Sequence, residues 1–366
     1  MTDAEDLPTW KYLSDSTGLG GAIKESVDDF KVEEVAEHDI NGGDHLILKL
    51  TKHNMTTMAA IREISNILHI SRKRFGYAGN KDKKAVTTQY ISIEGIDENE
   101  AENIFVPGIE VEILGKNGHI AVGQLEKNKF EIILRDIAFP EEGVERRLYK
   151  IWEDLDGIMP NYFGRQRFGS VRPITHQVGK EILKGNFGKA VWTYIAKPYE
   201  EEHKKVRKVR EKLWETRDPS KAAEKFPEQY RYEKTLLYHL AKNPQNYIGA
   251  LQRLPDGLQR LFIHSYQSYV FNHALSEMID EGFRDTDYEL PLVGYKTPMK
   301  DEEPYEKIQK VLEEDEITQE DFKIKSMPHL RSEGSYRKCF APVSSFEVVS
   351  TDSDDLNMNK SMAKLR

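Results

Sequence analysis

The chain has 366 residues, 38% of them hydrophobic and 31% charged, with a formal net charge of −9. That length exceeds one small core, so two domains are the natural prior. No apolar run approaches the roughly 20 residues a membrane helix needs, and the polar, acidic start is unlike a signal peptide, so a cytoplasmic protein that leaves membranes alone is expected. Cys339 is the single cysteine, which excludes internal disulfides and Cys-based zinc sites; the 11 histidines are scattered without ligand spacing, and no metal is expected. The acidic balance argues at first against a nucleic-acid partner. The charges are segregated, however: basic residues gather at Arg72 to Arg74, Lys81 to Lys84, Arg165 to Arg172 and His203 to Lys212. Local field decides whether a polyanion binds, so composition leaves RNA open.

The first ~20 residues carry little pattern and are expected to drape over the surface. Asp29 to Val35 alternates like a strand, Asn41 to Asp44 is a turn, and His45 to Leu50 is a second strand. Asn54 is the expected N-cap of an amphipathic helix over 55–68, with Met55 and Met58 as core filler.

Next comes Phe75 to Ile93, strand-like at both ends and loop-like in the middle. Gly76 and Gly79 flank the turn, and Asp82 is the one carboxylate among Lys81, Lys83 and Lys84. Nearby positive charge favours the ionised carboxylate, making Asp82 a candidate nucleophile where anions are attracted; a solvated Lys-rich turn is the plainer reading of such a loop. Two phosphate-loop readings fail. Asn80-Lys81-Asp82 has its acid one residue too early for the guanine-reading Asn-Lys-x-Asp motif, and Gly164 to Gly169 is followed by Ser170 where a phosphate cradle requires Lys.

Strands are expected at 109–114 and 119–135 around a Gly115 to Gly118 turn, then a helix from Val144 to Ile158 that ends before Pro160. This order lacks β-α-β alternation and predicts an α+β domain on a mainly antiparallel sheet. Residues 176–280 read as almost wholly helical, with the longest helix at 258–280 loading Leu258, Phe262, Tyr266, Tyr269, Val270 and Leu275 onto one side. From Ile324 strand character returns, most clearly at Ser345 to Val349.

These residues carry a resemblance. Gly76 to Gln89 resembles the nucleophile loop of the TruD family of tRNA pseudouridine synthases, of archaeal and bacterial type, and Pro160 to Gly169 resembles that family's second signature. Asn128-Lys129-Phe130, Asp29 to Glu34, Gln267 to Asn272 and Gly334 to Arg337 match further elements, in family order. The resemblance implies a pseudouridine-synthase-like catalytic domain whose first part is 1–165, a largely helical insertion domain over 166–334, and a return to the catalytic domain over 335–366 without the family's final strand. It implies isomerisation of uridine to pseudouridine in tRNA, at U13 of the D arm, with Asp82 as nucleophile and no nucleotide or other cofactor. Asn128 is then a candidate to hold the loop or the base edge, and Phe130 a stacking platform, although the residues alone read Phe130 as strand core. Lys81 is expected to tune Asp82 and meet phosphate, with a solvated lysine the alternative; Lys83, Lys84, Arg165 and Arg167 are further candidates for RNA contact, the arginines equally for packing. Kept open are a non-catalytic RNA-binding module of the same fold, and a metal-dependent phosphoryl-transfer or hydrolytic enzyme, for which no paired carboxylates stand out.

Overall fold

The computed structural model describes residues 7–38, 40–300 and 302–344. Contacts divide it into two units, 15–154 and 7–14 together with 155–343.

The first unit is built on a six-stranded sheet. Its elements in chain order are β1 (Ala22–Ile23), β2 (Phe30–Val35), β3 (His45–His53), α1 (Thr57–Ile67), β4 (Phe75–Tyr77), β5 (Val86–Glu94), α2 (Glu98–Ala101), β6 (Ile109–Asn117), β7 (Lys127–Ile132), β8 (Leu134–Arg135) and α3 (Glu141–Leu155). The order across the sheet is β6-β3-β5-β2-β7, with β4 also on β5. The expected antiparallel character holds at every pairing in this sheet but one: β2 runs parallel to β5, at Lys31↔Val86 to Glu33↔Thr88. The sheet is therefore mixed. A separate two-stranded pairing joins β1 to β8.

One side of the sheet changes chemistry along its length. Leu46, Leu48 and Leu50 of β3 and Ile91 and Ile93 of β5 are buried against Ala60, Ile61 and Ile64 of α1. Farther on, the same side carries Lys52 opposite Thr87, and Gln89 opposite Leu50, all buried. On β2 it carries Phe30, Val32 and Glu34, opposite Ile132, Phe130 and Asn128 of β7. Period-2 alternation places these residues together. The apolar half lies under a helix, and the polar half lies where the Asp82 loop begins and ends.

Several local expectations are corrected. Thr56, not Asn54, caps α1, its Oγ accepting from Ala59 N at 3.1 Å. Asn54 instead turns the chain at φ 50° and donates its N–H to Ala85 O. Met55 packs against the core as expected, but Met58 is 46% exposed. Gly115 to Asn117 stay within β6, because Gly115 sits at a register shift opposite Ile47/Leu48 with φ 131°, where a Cβ would strike Ile40 at 2.5 Å. The strand expected from residue 119 begins only at Lys127; the loop ahead of it is tied down by Ile120 N to Ser92 Oγ (2.9 Å) and Gly123 N to Ala78 O (2.7 Å). The helix expected to reach Ile158 ends at Leu155, and Gly157 follows with φ 75°.

The second unit contains β9 (Ile158–Pro160), α4 (Thr175–Leu183), α5 (Phe187–Ala196), α6 (Lys204–Thr216), α7 (Pro219–Ala223), α8 (Arg231–Lys242), α9 (Tyr247–Leu251), α10 (Asp256–Asp280), β10 (Glu289–Leu292), α11 (Glu303–Glu314), β11 (Ser335–Lys338) and β12 (Phe340–Pro342). α10 is the long helix expected, but it is buried on more than one side: Gln259, Ser265, Gln267 and Asn272 are buried along with Phe262, Val270 and Phe271. Contacts place the boundary at Leu155, ahead of the one read from the sequence. Residues 335–343 pack with the helices, because β11 pairs with β10 and β12 with β9. The strand expected at Ser345–Val349, and the end of the chain, lie outside the described residues.

Candidate active site

Strand pairing explains why a loop forms at Ala78 to Ala85. β4 runs antiparallel along β5, from Phe75↔Ile93 to Tyr77↔Ile91. Continuing, it would pair with the start of β5, but β2 already occupies that edge at Val86 to Thr88. The chain has to leave the sheet and return.

The loop is pinned from below by buried polar groups. Lys81 N donates to Thr57 Oγ1 (3.0 Å), Thr57 Oγ1 donates to Gln89 Oε1 (2.8 Å), and Gln89 Nε2 donates to Gly79 O (3.1 Å). Lys52, fully buried, donates from Nζ to Asp82 O (2.8 Å) and to Met55 O. Burial pushes the Lys52 ammonium down to about 8; the charge of Asp82 opposes that shift and the charge of Lys81 adds to it.

Asp82 is fixed by its backbone but keeps its carboxylate 39% exposed, with Lys24 Nζ 3.3 Å from Oδ1. Lys24 also stands 3.8 Å over the Phe30 ring, and Phe30 meets Phe130 edge-on at 6.0 Å. Phe130 is 52% exposed, so it is a presented ring and not the strand-core residue that its pattern suggested. Lys24 was absent from the sequence reading. It lies 58 positions before Asp82 in a left-handed conformation (φ 59°), and no local pattern marks it. Its segment is held by Asp29, whose carboxylate takes both Arg135 Nε (2.8 Å) and Nη2 (2.6 Å) and also Ser26 N (2.8 Å). The Arg135 hydrogen bond, outweighing burial, lowers the Asp29 carboxyl to about 2.

Lys81 points inward. Its ammonium lies 2.8 Å from Glu34 Oε2 and 2.7 Å from Asn128 Oδ1, with side-chain exposure of 6% for Lys81 and none for Glu34. Its geometry is that of an anchor, and a phosphate cannot reach it without displacing Glu34. Glu34 Oε1 has no hydrogen-bond donor among the described residues. Asn128 is thereby placed against the loop, as one of its expected roles requires. Lys83 and Lys84 are exposed, with no ion pair among the described residues.

Arg165 and Arg167 belong to the helical unit. Arg165 is exposed. Arg167 lies over the Phe163 ring at 5.1 Å, sharing it with Arg337 at 4.1 Å. Asn272 grips Phe163 by both backbone groups, at 2.9 Å each, and Arg337 binds Asn161 O (3.0 Å) and Oδ1 (2.6 Å). Three motifs far apart in the chain, 160–169, 267–272 and 334–337, thus meet at one ring. Phe168 is fully buried. Among the described residues no group of three or more His, Cys, Asp or Glu side chains could hold a metal ion, and no helix is long and apolar enough to cross a membrane.

On an α+β fold, the first unit thus carries a part-exposed carboxylate with a lysine beside it, and that lysine leads through Phe30 to the exposed Phe130 ring. The family profile described as tRNA pseudouridine synthase D (TruD) matches residues 7–289 and 284–364. A probable tRNA pseudouridine synthase D of Methanococcoides burtonii is 34% identical over 395 aligned positions, covering 95% of this chain and 90% of that one. The Archaeoglobus fulgidus protein of the same description is 43% identical over 270, covering 73% and 64%. The crystal structure of the putative tRNA pseudouridine synthase D (TruD) from Methanosarcina mazei superposes with a TM-score of 0.81 at 35% identity, covering 97% of this chain and 91% of that one. The chain belongs to the TruD family of tRNA pseudouridine synthases.

Proposed function

We propose that the protein isomerises uridine to pseudouridine at position 13 in the D arm of tRNA, with Asp82 as the nucleophile. The observation that carries this is the contrast at Asp82: its carbonyl is held by buried Lys52 and its loop by Thr57 at Lys81 and Gln89 at Gly79, while its carboxylate is left part-exposed beside Lys24. A nucleophile needs such a fixed origin and a free end, because misplacement by an ångström is costly in rate.

The reaction exchanges the N1–C1′ bond of uridine for a C5–C1′ bond. The base turns over while detached, C5 gives up its proton and N1 gains one. Nothing is oxidised or reduced and no group is donated, so the chain's own residues suffice. Swinging the uridine out of its stack costs a few kcal/mol, which Phe130 offsets by stacking, at about 1–3 kcal/mol per base. Lys24 compensates the Asp82 charge, and Asn128 holds the loop through Lys81.

The test is conversion of U13 in an unmodified tRNA transcript by wild type and Asp82→Asn, in EDTA with no nucleotide added. Wild-type conversion with a variant that binds the transcript but converts none is expected. Equal conversion by both would remove Asp82 from the chemistry, and loss of wild-type conversion in EDTA would point to a metal-dependent reaction. Binding without conversion by wild type would make the protein a non-catalytic RNA-binding module.

A further inference from the structure

Away from Asp82, the helical unit presents a second set of groups that the isomerisation does not use. Lys204, Lys205, Lys208 and Lys212 on α6 are all exposed, and none has an ion-pair partner among the described residues. At 100° per residue they fall within an arc of about 100° along a helix about 20 Å long. Of the carboxylates on α6, Glu211 is taken by Arg207 at 3.3 Å, which leaves Glu215 against four ammonium groups. The opposite side of the helix is locked. Arg210, 1% exposed, binds Glu202 (2.8 Å) and Glu233 of α8 (2.7 Å), so the stripe is held on a rigid element.

The helix ends beside two indole rings. Arg217, left-handed at φ 50°, lies 4.1 Å from the centre of the Trp214 ring and 4.8 Å from that of Trp192. Arg217 is exposed as a residue and donates no side-chain hydrogen bond among the described residues, although partial burial lowers its guanidinium from the usual value; Trp214 is 39% exposed. Trp192 Nε1 reaches Tyr247 OH at 3.4 Å. Tyr247 in turn lines a surface cavity of about 620 Å³ with Asn186, Phe187, Gly188, Gln245 and Asn246. A guanidinium within 5 Å of two indole centres, one of the rings part-exposed, can offer N–H groups to an anion and leaves an aromatic face for a base. Unpaired cations along a helix and an exposed aromatic ring near its end are the two parts of a sequence-tolerant RNA-strand site.

We infer that the solvent face of α6, with Trp214, Arg217, Trp192 and Tyr247 at its end, binds tRNA at a second place: phosphates along the lysines and an unstacked base at the indoles. This rests on tRNA being the substrate and adds where on the helical unit part of it is held. Nothing in the reaction at Asp82 needs these groups, so they supply affinity and register, as phosphate contacts do.

The experiment measures the dissociation constant of full-length protein for an unmodified tRNA transcript over a salt series. One variant carries Lys204→Gln, Lys205→Gln, Lys208→Gln and Lys212→Gln together; two others are Trp214→Ala and Arg217→Gln. All these positions are solvent-exposed, and circular dichroism verifies folding. The four-lysine variant is expected to bind at least tenfold more weakly near 0.1 M salt. Its plot of log affinity against log salt should flatten by about 3, from roughly 0.7 per single-strand phosphate. Trp214→Ala should weaken binding severalfold with the salt slope kept, and Arg217→Gln should weaken it with a slope change below about 1. Wild-type binding with every variant within twofold and all slopes equal would overturn the inference and leave the functional reading standing. A wild type that neither binds nor converts tRNA would sink both.

Discussion

In the helical unit, Arg172 and Arg210 face Glu202 and Glu233, two charges against two, and Arg172 also donates to the carbonyls of Thr193, Tyr194 and Lys197. Under the Asp82 loop, buried Lys81 pairs with the buried carboxylate of Glu34, while buried Lys52 has no ion-pair partner among the described residues and donates to the carbonyls of Met55 and Asp82. The first network closes on itself and serves packing. The second keeps one positive charge in excess, because Asp82 at the surface is itself paired with Lys24. A closed network needs nothing from solvent. An open one keeps its last carboxylate at the surface, beside Lys24 and free to react.

Substitutions should separate the two. The largest effect is expected at Asp82→Asn, which should cut U13 conversion by roughly three orders of magnitude or more while moving the melting temperature by only a few degrees. A variant unfolded at 25 °C would assign Asp82 to stability instead. Arg210→Met leaves Glu202 and Glu233 short of their partner and should cost about 3–5 kcal/mol in urea unfolding, as breaking a buried pair does. Loss below about 1 kcal/mol would mean that Arg172 carries both carboxylates alone.

Lys52→Met should lie between these two. It strips the donor from Asp82 O and Met55 O, costing about 1–3 kcal/mol for each buried carbonyl left unmet, and it loosens the loop, so kcat should fall tenfold or more while Lys52→Arg recovers part of the loss. A stability loss with kcat intact would confine Lys52 to the scaffold.

The smallest effects come from pH. The Lys52 ammonium is lowered from 10.5 to about 8 on folding, so the unfolded chain holds the extra proton between those values. Its contribution to stability therefore rises as pH goes from 8 to 10.5, and Lys52→Met should remove that rise from a stability–pH curve. Asp29 has the same sign in a lower pH window. Its contribution, about 2 kcal/mol, is present in full above its unfolded value of 3.8 and is lost as pH falls to about 2, a loss that Asp29→Asn should abolish.

What was legible in the sequence is what is written contiguously. The strands flanking Asp82, the helix after residue 56, the long α10 and the two glycine-bearing motifs all show in local spacing or in runs of neighbouring residues. Where local signals misled, a neighbour outside the window decided: Gly115 looked like a turn but takes the left-handed angle of a bulge paired to β3, and Phe130 looked like core but lies on the edge strand β7, beside the buried Phe30, with its ring half exposed. The register of β2 against β5 and β7, which joins Glu34 to Asn128, is written in no single stretch.

The chain by itself determined the family and the loop that carries Asp82, because residue types at fixed offsets carry them. Only the tertiary structure decided which lysine does what. Lys81, Lys83 and Lys84 are the same side chain within four positions, yet Lys81 is buried and the other two face solvent. The difference lies in Glu34, a carboxylate 47 positions earlier on a strand that displaces the loop from the sheet. Lys24, Lys52 and Thr57 reach Asp82 or its loop in the same way. Charge pairing in a buried space acts on distance through space, which sequence separation does not reveal.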